Sequence, residues 1–131
     1  MGKYGISAVE AVRLYTQRVA HSPRDAWERA TSSTFGAGTA SQCKGCPRDA
    51  FLGLCEEGLV KEIEPGNYTQ SEKNKRYAVD AVAILRQRPL LGASPGLLWS
   101  EVLQGESKKH NSQMDVVIAL WRNGLIQRTS L

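Results

Sequence analysis

At 131 residues, with 41% hydrophobic and 23% charged side chains, the chain has the composition of a soluble domain with a core of ordinary size. No apolar run approaches the roughly 18–20 residues needed to cross a bilayer, which excludes a helical membrane span. The net charge of +4 falls well short of the strongly basic footprint of a dedicated nucleic-acid binder. Met1-Gly2-Lys3-Tyr4 leads straight into a helical pattern, and three cysteines are too few and too uneven for a disulfide framework, so a cytoplasmic protein is expected.

In chain order, Ala8, Val12, Tyr15 and Val19 recur at helical spacing, with Ala11 and Leu14 beside them, and predict a helix over about 4–20. Ser22-Pro23 predicts the start of a second helix, an N-cap followed by proline at the first helical position. Asp25 completes a capping-box-like pattern, and Trp27 and Ala30 face inward. The Ser-, Thr- and Gly-rich stretch 31–45 reads as loop. A third helix is expected from Cys46-Pro47, with Ala50, Phe51, Leu54 and Cys55 inward and Gly58 as a left-handed stop. Leu59–Ile63 alternates as a strand, Glu64–Asn67 turns, and Tyr68-Thr69 returns as a second short strand.

After a short linker at 70–74 the same order recurs, with helices near 75–88, 95–103 and 112–123 and a final strand over Leu125–Arg128. The recurrence extends to residues. Ala8–Arg18 matches Ala78–Arg88, Ser22-Pro23 with Trp27 matches Ser94-Pro95 with Trp99, and Asp49–Val60 matches Asp115–Ile126. Three blocks in one order constitute an internal repeat. The expected fold is therefore mainly α: two repeats, 1–69 and 75–131, each of three helices plus a short strand or hairpin, packed as one pseudo-symmetric unit.

The segments LCEEGLVKEI and LWRNGLIQRT resemble the third helix and first wing strand of winged-helix proteins. That resemblance implies a winged-helix-like architecture for each repeat. GCPRDAFLGLCEEGLVKEI, with KYGISAVEAV near the start, is also similar to an uncharacterised family of small bacterial proteins, which implies a bacterial origin and no known activity.

In a helix-turn-helix reader the exposed face of the third helix meets base edges with hydrogen-bonding side chains. Here the corresponding faces would present Asp49, Leu52, Gly53, Glu56 and Glu57 in one copy and Asp115, Ile118, Ala119 and Arg122 in the other. A carboxylate repels phosphate, and the large-small pairs Leu52/Gly53 and Ile118/Ala119 suit close helix packing. The expectation is a non-catalytic binding module, with an unknown protein partner or a second copy on Leu52, Gly53, Ile118 and Ala119; the alternative is that the helices are simply more buried. The runner-up is a DNA-binding regulator using the basic clusters outside those faces: Lys73, Lys75, Arg76, Lys108, Lys109 and Arg122.

Cys43-Lys44-Gly45-Cys46 is a CxxC motif without a second pair, so no metal site is expected. Cys43 and Cys46 remain redox candidates because a thiol at a helix N-terminus tends towards thiolate. The motif lacks a thioredoxin-like βαβ context, and Cys46 aligns with Ser112 as a capping residue. Asp49 and Asp115 read as carboxylates that complement helix N-termini, and Glu56-Glu57 as solvated. Nothing matches a nucleotide-cradling loop or a catalytic triad, so no cofactor and no enzymatic activity are expected.

Overall fold

The computed structural model describes residues 2–127. Its helices are α1 (Lys3–Thr16), α2 (Pro23–Phe35), α3 (Gly45–Glu56), α4 (Glu72–Gln87), α5 (Pro95–Leu103) and α6 (Gln113–Arg122), with a short 3₁₀ helix over Pro89–Ala93 before α5. The protein is mainly helical, as the periodicity indicates. Helix starts follow local chemistry: the Ser22, Ser71 and Ser94 hydroxyls accept the Asp25, Asn74 and Leu97 amides. Helix ends do too. Gly58 and Gly124 adopt φ of +75° and +70°, and the next amides, of Leu59 and Leu125, reach back to the Leu54 and Leu120 carbonyls.

Several boundaries differ from expectation. Thr31–Phe35 extend α2 instead of joining the loop, because Thr31 and Thr34 satisfy their hydroxyls on the Trp27 and Ala30 carbonyls one turn back. Helix α4 begins at Glu72, so part of the expected 70–74 linker is helical.

The expected strands and hairpins do not form among the described residues. Val60 makes a lone antiparallel bridge with Ile126; the Lys61 amide donates to Leu125 and the Gln127 amide to Leu59, both at 2.8 Å. The pairing stops there because Glu62 enters the left-handed region at φ +65° and Ile63 turns back onto the Val60 carbonyl. Tyr68 and Thr69 do not return as a strand either, since both amides donate to the Glu56 carboxylate. A wing is thus absent from the described part of either copy, and Arg128, the last residue of the expected final strand, lies outside the described residues.

Packing crosses between the halves. Helix α1 lies on α2 and α6, α4 lies on α3 and α5, and α3 lies on α6. One core results, holding Trp27, Phe51 and Leu54 together with Leu85, Leu98, Met114 and Leu120. Trp27 stacks on Phe51 at 5.3 Å between ring centroids, and Trp99 meets Tyr77 edge-on at 5.0 Å.

Candidate functional site

The large-small faces of the third helices are covered by the chain itself. Leu52, Gly53, Ile118 and Ala119 are all buried. A Cβ built on Gly53 would lie 2.6 Å from the Lys75 Cα, so the close approach that glycine permits is that of α4. This corrects the expectation of a partner surface at these residues, because a third helix clasped from several sides has no free face. The buried arc of α6 takes in Ile118 and Ala119, while Trp121 is only half-buried.

The basic residues have different fates. Lys75 is tied to Glu56 at 2.6 Å and to Glu57 at 3.1 Å and is mostly buried, so it offers no free charge. Glu56 is correspondingly not solvated. The Lys75 hydrogen bond, helped by the Thr69 and Tyr68 amides, holds its carboxyl below the usual range. Lys73, Arg76, Lys108, Lys109 and Arg122 are exposed.

Most of these charges are gathered by a chain of hydrogen bonds that begins at a buried amide. The Gln113 side chain donates to Asn74 at 3.1 Å and accepts the Asn111 amide at 2.7 Å. The loop before α6 is therefore fastened to the start of α4. The Trp99 indole donates to the Lys108 carbonyl, and Tyr77 donates to Glu106. Lys73 and Arg76 on α4 thereby share one end of the molecule with Lys108 and Lys109. The Lys44 ammonium lies 5.6 Å from the Tyr4 ring centroid; the His110 pKa is lowered by burial first, with the Asp115 charge opposing and the Lys44 charge assisting. Arg122, at the last turn of α6, lines a recess that runs along that helix past Ile118 to Asp115 and takes in Gly2 and Pro95.

His110, in sequence part of the basic run Lys108-Lys109-His110, has a capping role that sequence reasoning did not indicate. Its Nε2 accepts the Met114 amide at 3.1 Å, so the neutral ring carries its proton on Nδ1 and supplies the side-chain cap of α6. Ser112, expected to cap, sits at φ +69° and makes no such bond; extended backbone is what aims a cap hydroxyl at the helix amides. The spacing of His110 four residues before Met114 was the available signal.

The CxxC motif sits nearby without converging on a metal set. Lys44 is the N-cap of α3 and Cys46 lies inside the helix, which corrects the capping role expected for Cys46. Cys43 is exposed, Cys46 half-buried, and both are free thiols. Burial pushes the Cys55 thiol pKa far up, so that sulfur stays protonated and inert. Among the described residues no three His, Cys, Asp or Glu side chains form a group able to hold a metal ion. Asp49 accepts Thr69 and pairs with Arg48, while Asp115 lies against Gly2 at the start of α1. Asp115 is the acidic residue in the first turn of α6, as expected, whereas Asp49 lies beyond the first turn of α3 and serves Thr69 and Arg48.

Residues 1–127 match the family described as Family of unknown function (DUF6979). The chain belongs to that family. No curated protein and no solved structure matches it. Among the described residues no helix is long and apolar enough to cross a membrane.

Proposed function

We propose that this member of the family is a non-catalytic binding module whose partner is an anionic polymer, the phosphate backbone of a nucleic acid. The observation that carries the reading is the Asn74–Gln113–Asn111 link, which unites basic clusters more than thirty positions apart in sequence at one end of the molecule. Lys73, Arg76, Lys108 and Lys109 are exposed. The third-helix faces, acidic and apolar in sequence, are covered and take no part. Contact is thus with backbone charge and not with base edges, so sequence preference is weak.

Binding of a labelled random duplex at low and physiological salt tests this reading. Micromolar affinity that falls with a log–log salt slope of about −3, for three to four phosphates, is expected. Its loss in a Lys108→Ala/Lys109→Ala variant is expected too. No binding at low salt, or binding indifferent to salt, would overturn it.

A second reading, a protein partner or a second copy, is favoured by a different surface from the one the sequence indicated. Residues 89–100 carry no charged side chain, and Leu90 and Leu97 there are 91% and 60% exposed. Burying such side chains against an apolar surface would contribute about 1.5–3 kcal/mol each. Sedimentation across a concentration series, with a Leu90→Ser/Leu97→Ser variant, distinguishes the cases. A concentration-dependent dimer lost in the variant supports self-association, and a monomer throughout removes it. Our reading of the chain as a tandem, pseudo-symmetric unit fits either: α1 lies on α6 as α4 lies on α3, and residues 59–61 pair with 125–127.

A further inference from the structure

A second place in the molecule carries the marks of a small-molecule site, and it owes nothing to the basic end. A cavity of about 350 Å³ lies between the last turns of α4 and α6, lined by Arg86, Pro89, Trp121, Gly124 and Ile126. That is within the size range of ligand pockets, which are mostly apolar with a few polar groups fixing orientation.

Its polar group is one guanidinium. Arg86 is partly buried and, among the described residues, forms no ion pair with an aspartate or glutamate. One terminal nitrogen donates to the Gln127 carbonyl at 2.5 Å, and among the described residues the buried Nε hydrogen has no acceptor. The other terminal nitrogen of this cavity-lining guanidinium has no hydrogen-bond partner among the described residues and is not withdrawn from water, so it is the group a ligand oxygen can reach.

Comparison with the other half shows where this chemistry arises. By the sequence correspondence, Arg86 stands where the first copy has Thr16, and Trp121 where it has Cys55. The larger, more specialised side chain appears at both positions, and both line the same cavity.

We propose that this cavity binds a small carboxylate carrying an aromatic or branched apolar body. The planar fork of Arg86 matches a carboxylate edge, and Trp121, Pro89 and Ile126 supply an apolar wall for the remainder. Among the described residues the wall holds one cation and no carboxylate, which disfavours amines. Free phosphate is disfavoured because the apolar wall leaves most of its oxygens without donors.

Titration of the full chain with benzoate, followed at the Trp121 indole resonance, tests the site, with benzyl alcohol and inorganic phosphate as comparison ligands. Millimolar benzoate binding is expected, with benzyl alcohol and phosphate each about tenfold weaker or worse. Arg86→Met should lose benzoate by a similar factor while Arg86→Lys retains part of it. Equal binding of benzyl alcohol, equal binding by Arg86→Met, or no shift at about 20 mM benzoate would each overturn the proposal. Should Arg86→Met fail to fold, the ligand comparison on the unaltered chain decides. Phosphate binding as tightly as benzoate would likewise overturn it in favour of a simple anion site.

Discussion

The C-terminal ends of α3 and α6 occupy matching positions in the two halves, yet one is sealed and the other open. At the end of α3, Glu56 gathers Lys75 and the Tyr68 and Thr69 amides, and Gly53 lets the α4 backbone close over the helix. At the end of α6 the residue corresponding to Glu56 is Arg122, which is exposed; the counterpart of Cys55 is Trp121, which borders a cavity. Among the described residues the two helix ends thus differ in their side chains: Glu56 is held by Lys75 and residues 68–69, whereas Arg122 is exposed and Trp121 half-buried. The first half spends residues 64–69 on that seal, and its polar groups are consumed internally. The second half leaves its aromatic and cationic groups available.

The largest test of this contrast is at the tight approach. Gly53→Ala places a methyl against the Lys75 backbone and is expected to cost about 2–3 kcal/mol in denaturant unfolding. Ala119→Gly, at the matching place in α6, should cost only about 1 kcal/mol, as helix propensity. Equal losses would mean the two helices are equally clasped.

Next comes the carboxylate seal. Glu56→Gln should cost about 1–3 kcal/mol by leaving Lys75 underpaired, while Arg122→Ala should be nearly neutral. The Glu56 carboxyl titrates below its ordinary value near 4.5, so its stabilisation is complete above that value and is lost as pH falls through the lower folded value. The acid limb of a stability-against-pH profile should therefore flatten in Glu56→Gln. An unchanged limb would show that the seal contributes nothing.

His110→Ala is expected to cost about 1–2 kcal/mol by uncapping α6, whereas Lys44→Ala, its counterpart before α3, breaks no cap bond. Burial holds the His110 pKa below 6.5, so its contribution is whole above pH 6.5 and fades as acidification protonates the Nε2 acceptor. Persistence of that fade in His110→Ala would assign it to another group. The smallest effect belongs to Leu90→Ser, within about 0.5 kcal/mol of the parent, because a side chain 91% exposed has little packing to lose.

The legible part of this protein is the part written within a few residues. Ser22-Pro23 and Ser94-Pro95 announce helices, Gly58 and Gly124 stop them, and Trp27 and Trp99 are core anchors as their places after Ser-Pro indicate. The strands were misread because alternation over Leu59–Ile63 is a local pattern, whereas a strand needs a partner along its length, and Glu62 turns the chain away after one pair. The CxxC motif drew attention by its spacing, while His110 and Arg86, with less conspicuous neighbours, proved the better-placed groups.

By itself the sequence determined most helix positions, the caps at Ser22 and Ser94, the glycine stops and the absence of a long apolar span. Those features depend on backbone preferences and side-chain periodicity over one or two turns. Tertiary structure alone decided which faces are free. Leu52 and Ile118 look equally able to meet a partner until α4 and α1 arrive to lie on α3 and α6, and Glu56 looks solvated until Lys75, nineteen residues on, reaches it. The physical reason is that exposure and charge pairing are set by whatever segment packs opposite, and that segment is remote in sequence.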